Sequence, residues 1–387
     1  MTHVILKQGD FMKKQLVLVA GLAVLATPAF ASKARLQALG EDLYGSLYIN
    51  DNRNIFINAA AVNDHKDLVT YEWGSSPAVA DTAGTPRAEG GFFKSHGNFV
   101  YGVQLGGQSD SAHLFRAASG VTAVSLTDLD VNRAAENNGV EIFLGGDAGV
   151  KWGASLYRSK TENDDEKSEQ ESMRVKLGVS QGNWSAFANI NLKNDADNNV
   201  NKFEGDAGYQ VGGTYMWNDY TFFGEYRSLK GEADIGLIGE KFDQEITRME
   251  VGVGRQMKLN DKATLFTKVS YRSISAEGNA ALTNTLAGVE VDATTDFAAD
   301  GEFDSKALPV VVGVEHAATS WLTLRTSLVQ NVLINSTELN DGKKVTNNAT
   351  TAINAGASLL FGDTSIDAAI TSGTANNYGR VSATYRF

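Results

Sequence analysis

The sequence predicts an all-β transmembrane fold: an antiparallel up-and-down β-barrel of about sixteen strands, within a range of about fourteen to eighteen, with short turns at one end and long loops at the other. Three observations predict it. From Leu68 onward, alternating apolar and polar segments recur as hairpin pairs. Short and long connections alternate between them without a break from the C-terminus back to Trp73. The chain then ends on Gly379-Arg-Val-Ser-Ala-Thr-Tyr-Arg-Phe387, in which Val381, Ala383, Tyr385 and Phe387 share one face and Arg380, Ser382, Thr384 and Arg386 the other, the period of an extended chain.

At the start, Met12-Lys13-Lys14 precedes an apolar run from Leu16 to Ala26 and the small-x-small site Ala29-Phe30-Ala31. A basic head, a short apolar stretch and small residues at the cleavage point read as a secretory signal peptide over residues 1–31, cut after Ala31. The run is about half of the roughly 20 residues a spanning helix needs. Met12 is the expected true start, because Gln8-Gly9-Asp10 can be encoded by a purine-rich ribosome-binding sequence.

Residues 32–65 do not fit the hairpin unit. Arg35 to Leu39 followed by Gly40 reads as a short helical turn ended by glycine, with Leu47-Tyr48-Ile49, Asn50 to Arg53 and Ile55-Phe56-Ile57 behind it. Three places are open to this segment: inside the barrel as a partial plug, as an added strand, or in the periplasm. The first is favoured.

Residues 66–387 make the barrel. In the clearest hairpin Tyr209, Val211, Gly213, Tyr215 and Trp217 share a face, Asn218-Asp219 turns, and Tyr220, Phe222, Gly224 and Tyr226 return. Other short connections are Ser95-His96-Gly97, Gly146-Asp147, Gln181 to Asn183, Leu259 to Lys262, Thr319-Ser320 and Gly362-Asp363. The long ones are Gly107 to Gly139, Thr161 to Glu171, Asn194 to Asn201, Lys230 to Asp243, Glu277 to Lys306, Asn331 to Asn348 and Thr371 to Tyr378. In a transmembrane barrel the short turns are periplasmic and the long loops extracellular. Trp152, Trp184, Trp217 and Trp321 lie beside short turns, whereas Trp73 does not. Amphipathic rings favour the headgroup level, so the four read as one aromatic girdle.

The apolar faces mix Gly and Ala with larger residues, as at Ala186, Ala188, Gly213, Ala355, Ala357 and Ala368. Such faces pack poorly against a second sheet but sit at no cost against fluid lipid. With these faces outward, a basic wall lines the lumen: Lys151, Arg174, Lys176, Arg227, Arg248, Lys268, Arg272, Arg325, Arg380 and Arg386. Opposing acids on the strands are fewer, namely Glu225, Glu250, Glu315 and Asp367, and the remaining negative charge is expected in the loops. Acidic loops above a basic wall would set a transverse field across a water-filled lumen. Candidate constricting loops are Gln108 to Asn138, with Asp128, Asp130 and Arg133 near its middle, and Ala280 to Lys306. Inward Tyr157, Phe187, Phe223 and Phe266 either form an aromatic slide or pack against a plug.

Composition narrows the alternatives. The chain has no Cys, so neither a disulfide framework nor a thiol-ligated metal applies. Its net charge is −12, and removal of the lysine-bearing leader makes it more acidic, which disfavours nucleic acid as a partner. His65, His96, His113 and His316 accompany no Gly-x-Ser-x-Gly elbow, no His-Glu-x-x-His and no phosphate-cradling glycine run. Glu315-His316 reads as a strand-end contact, and Asp296 to Asp304 lacks the spacing of a calcium loop. Neither an enzyme, a cofactor nor a metal is expected.

The leader and the closing strand ending at Tyr385 and Phe387 resemble those of Gram-negative outer-membrane β-barrel porins of the general-diffusion kind. That resemblance implies passive diffusion of small hydrophilic solutes and ions across the outer membrane. It also implies contact with lipid and lipopolysaccharide, assembly through machinery that reads the C-terminal strand, and a homotrimer. The rival expectations are a substrate-selective channel and a structural or adhesive barrel with a blocked lumen.

Overall fold

In a barrel wall every backbone group must find its partner on a neighbouring strand, and two-residue alternation decides which solvent each side chain meets. The computed structural model describes residues 32–74, 87–107, 138–163, 167–197, 199, 201–235, 240–278, 302–339, 344–346, 351–372 and 377–387. Its strand segments are β1 (Leu68–Gly74), β2 (Arg87–His96), β3 (Phe99–Leu105), β4 (Val140–Asp147), β5 (Lys151–Asn163), β6 (Ser168–Gln181), β7 (Trp184–Asp197), β8 (Asn201–Gly205) and β9 (Gly208–Trp217). They continue as β10 (Tyr220–Ile235), β11 (Glu240–Asn260), β12 (Ala263–Gly278), β13 (Glu302–Ala317), β14 (Leu322–Leu339), β15 (Lys344–Thr346), β16 (Ala352–Phe361), β17 (Thr364–Ser372) and β18 (Asn377–Arg386). β8 and β9 both pair with β7 and β10, and β15 and β16 both pair with β14. Each couple is therefore one interrupted strand, and the wall is a closed antiparallel barrel of 16 strands.

Closure is made by the C-terminal nonapeptide. β18 pairs with β1 from Leu68↔Arg386 to Gly74↔Arg380, and the Phe387 N–H donates to the Asp67 carbonyl at 3.1 Å. The Phe387 ring stacks on Phe92 at 6.1 Å, with Tyr385 beside it at 6.2 Å. The chain end thus lies on the outer surface at the turn end, the level at which Trp184, Trp217 and Trp321 are also exposed and Trp152 packs edge-on to Phe99.

The faces are inverted relative to a water-soluble barrel. Ile142, Leu144, Leu177, Val211, Val251, Leu324 and Ile370 are exposed outward, while Gln104, Glu141, Lys176, Asn189, Gln210, Glu225, Arg325 and Asp367 are buried inward. An outward Lys or Arg at mid-bilayer would cost about 2–4 kcal/mol, and the inward position removes that cost.

The strands outrun the expected loops. β5 and β6 continue to Asn163 and from Ser168, so Glu162, Glu169 and Glu171 of the expected loop Thr161 to Glu171 stand on strands. Likewise β10 and β11 extend to Ile235 and from Glu240, and β14 to Leu339. Beyond the lipid both faces meet water, so the ladder continues where hydrophobic alternation has stopped marking it. The outward charges there pair across strands, as in Lys193–Glu171 at 2.7 Å and Lys230–Glu245 at 2.6 Å. The 21 residues of β11 rise ~50 Å along the barrel axis at about 3.3 Å per residue and a tilt near 40°, roughly twice the ~25 Å apolar band.

The segment ahead of β1 folds as three short helical turns. They are α1 (Lys33–Ala38) and the 3₁₀ turns Asn52–Phe56 and Ala59–Asn63. Each opens on a side-chain cap: Ser32 accepts from the Arg35 N–H, Asp51 from that of Arg53, and Asn58 from that of Ala60. Gly40 ends the first turn at φ +75°, a conformation that L side chains avoid.

Candidate functional site

Residues 32–66 pack on the inward faces of strands right round the wall, and this filled lumen is the candidate site. Three apolar contacts anchor it. Ile55 and Val62 pack with Leu68, Phe93, Val100 and Phe143. Leu39, Tyr48 and Ile49 meet Phe223 and Phe266. Ala34 and Ala38 meet Ala369.

Glycines in the wall make room for the segment. A methyl added at Gly153 or Gly178 would strike the backbone of Ala59 and Ala60, one at Gly254 the Tyr48 ring, and one at Gly356 the Ala38 Cβ at 2.6 Å. Inward rings lie over wall glycines too. Phe187 covers Gly212 directly across the β7–β9 pair. Tyr157 lies against Gly139 and carries the Arg174 guanidinium 4.1 Å above its ring.

Charge pairs stitch segment to wall. The Arg35 guanidinium donates to Glu315 Oε2 and Asp51 Oδ2, each at 3.1 Å, and to the Asn50 carbonyl at 3.0 Å. Glu315 in turn accepts from Arg325 Nε at 2.6 Å, and Arg325 Nη1 reaches Asp367 at 3.1 Å. Arg53 Nη1 and Lys33 Nζ converge on Glu89 at 2.6 and 2.7 Å. Lys268 Nζ meets Glu41 at 2.6 Å, and Gln37 donates to Thr371 at 2.8 Å. Buried pairs of this kind gain little over apolar packing, but losing one partner strands a charge.

Burial sets the titration of the segment's own groups. It pushes the Lys33 ammonium down to about 8, against the opposing pull of Glu89. It lowers the His65 imidazole to about 4, Asp64 opposing and Arg386 assisting. Burial also raises the Glu41 and Asp51 carboxyls, with Lys268 and Arg35 respectively pulling them back.

The expected basic wall is inward but not bare. Lys176 meets Glu141 at 2.7 Å, Arg227 meets Glu225 at 3.0 Å, Arg248 meets Glu250 at 3.0 Å, and Arg272 meets Glu250 at 3.1 Å. Lys151 pairs with Asp64 of the segment, Arg380 donates to Gln37 at 3.3 Å, and Arg386 is half-buried near the turn end. Counter-charges thus stand beside the bases, whereas sequence reasoning placed them mainly in loops. Asp128, Asp130 and Arg133 lie outside the described residues, as do residues 1–31, nearly all of the expected loop Gln108 to Asn138 and most of Ala280 to Lys306. Among the described residues no group of three or more His, Asp or Glu is placed to hold a metal ion.

Sequence reasoning missed three inward acids: Glu72 and Glu89, which receive the segment, and Glu141, which pairs with Lys176. The signal was available for two of them, which sit at inward positions between outward apolar neighbours, Tyr71-Glu72-Trp73 and Val140-Glu141-Ile142.

No family model matches this chain, and no curated protein matches it. Solved structures similar to it include the P. putida toluene transporter TodX, at 12% identity and a TM-score of 0.37, covering 91% of this chain and 97% of that one. A bacterial polysaccharide outer membrane secretin is similar at 8% identity and a TM-score of 0.45, covering 83% and 97%. A porin is similar at 14% identity and a TM-score of 0.38, covering 83% and 99%. Such values are too low to assign a family or a function.

Proposed function

We propose that this chain is an outer-membrane channel whose lumen is closed by its own residues 32–66, so that solutes cross only where that segment yields. The observation that carries the proposal is the fit of the segment to the inner wall on all sides, with Arg35, Glu41 and Arg53 neutralised by wall residues. The outward apolar face, the tryptophans at the turn end and the aromatic C-terminus support residence in the outer membrane, with turns periplasmic. Selective passage of small polar solutes or ions past a closure fits this filled lumen better than free diffusion through an open pore. Contact with lipopolysaccharide, assembly through the closing strand and a homotrimer belong to the same proposal, supported by the sequence resemblance.

Purified protein in planar bilayers tests it. The wild type is expected to show little current, and a variant lacking residues 33–50 steady steps that scale with salt. Large open steps from the wild type would contradict the closure, and silence from both would contradict the channel.

A further inference from the structure

Ser32 is the first residue of the chain expected after leader removal, and it caps α1 within the lumen. The N–H of the next residue, Lys33, donates to Glu72 Oε1 at 3.3 Å, and the Ser32 hydroxyl is held by the Arg35 N–H at 3.0 Å. The Ser32 nitrogen therefore stands within one residue's reach, ~3.5 Å, of the group that touches Glu72.

Two carboxylates, Glu72 and Glu89, face three cations here, Lys33, Arg53 and Arg380, and share them unevenly. Glu89 takes Lys33 at 2.7 Å and Arg53 at 2.6 Å, whereas Glu72 keeps one peptide N–H and a 3.8 Å contact with Arg53. Arg380 completes the group: its charge acts on both Glu72 and Glu89, and its Nε donates to Gln37. Glu72 is only 2% exposed, and its Oε2 has no hydrogen-bond partner among the described residues. A buried carboxylate oxygen without a donor is a costly arrangement unless a further donor arrives.

We propose that leader removal supplies that donor: the new α-ammonium of Ser32 pairs with Glu72 and latches residues 32–50 in the lumen. Hydrolysis of the Ala31–Ser32 bond consumes one water and leaves a carboxylate on Ala31 and an amine on Ser32. With an ordinary pKa near 8, that amine takes a proton at neutral pH and offers three N–H donors and a positive charge. In the precursor the same nitrogen is a neutral amide with one N–H. Processing therefore switches the contact on, as removal of a pro-segment does elsewhere. This latch rests on the closed-lumen reading but is tested apart from it.

The test is acetylation of native, full-length mature protein with a water-soluble N-hydroxysuccinimide acetate, read by mass spectrometry of the N-terminal peptide. The peptide is expected to begin at Ser32 and to label at least tenfold more slowly than in the unfolded chain, with Glu72→Gln recovering most of that factor. A wild-type pH series serves where the variant fails to fold. Pairing raises the midpoint of labelling above ~8, whereas burial without a partner lowers it. A mature chain starting elsewhere, labelling as fast as in the unfolded chain, or a lowered midpoint would each overturn the latch. A wrong closed-lumen reading would instead show as open steps in the bilayer recording.

Discussion

The two halves of the lumen segment are held by different physics. The arm, residues 32–50, is fixed by side chains: Arg35 on Glu315, Glu41 on Lys268, Lys33 on Glu89 and Gln37 on Thr371. The base, residues 51–66, is fixed largely through its backbone. Ala59 and Ala60 lie directly on Gly153 and Gly178, Asn189 donates to the Ile57 carbonyl at 3.0 Å, and Asn63 donates to that of Trp152 at 2.9 Å. Arg53, on Glu89, and Asp64, on Lys151, are the exceptions, base residues held by charge. Charge pairs can exchange for water and ions one at a time, whereas a backbone seated on glycine has no partial release. The arm is therefore the half that responds to single charge changes, and the base is the half that responds to added volume.

The largest expected effect tests the arm. Arg35→Ala leaves both Glu315 and Asp51 short of a buried partner, a loss of about 3–5 kcal/mol for a broken buried pair. It should raise channel current and speed proteolysis of residues 33–50 while leaving the base protected. Equal release of both halves would erase the distinction.

Acid provides a second test, read at His65, a buried residue of the base. Its seated value near 4 lies below the ordinary 6.5, so the seated form binds fewer protons between those values. Its contribution is therefore complete above pH 6.5 and is lost as pH falls toward 4, by up to about 3 kcal/mol. Glu41 and Asp51, whose carboxyls are raised, titrate in the opposite sense, so the informative quantity is the difference between wild type and His65→Asn in conductance from pH 7 to 4. The variant should open less on acidification.

Gly153→Ala tests the base. Its new methyl meets the Ala59 carbonyl with no flexible side chain to give way, an overpacking cost of about 1–3 kcal/mol. Hydrogen exchange should quicken over residues 57–63 more than over 33–40. The smallest effect belongs to the exposed pairs above the lipid. Lys230→Ala removes the solvent-screened Glu245 contact, which contributes little, and should leave both halves and the thermal midpoint nearly unchanged.

Much of the wall was legible in sequence because lipid imposes a contrast that alternation records. The hairpins from Leu68 to Phe387, the girdle tryptophans and the closing strand all carry that record. The upper parts of β10 and β11 do not, because water bathes both of their faces there and nothing selects for period two. The lumen contents were harder still to read. Arg35 finds Glu315 across 280 residues of chain, and nothing local to either residue encodes the other. The glycine seats were visible as glycines, but a bare position in a strand reads equally as weak packing, a bulge or a close approach.

The central claim is that residues 32–66 are folded against the inner wall. Residue-resolved amide hydrogen exchange on the mature protein in lipid tests it most directly. Protection of the amides of Leu36, Leu39, Ile57, Ala61 and Asp64, all hydrogen-bonded in these turns, comparable to that of β1 and β18 is the predicted result. Exchange of those amides at the rate of an unstructured peptide, with the strands still protected, would contradict it.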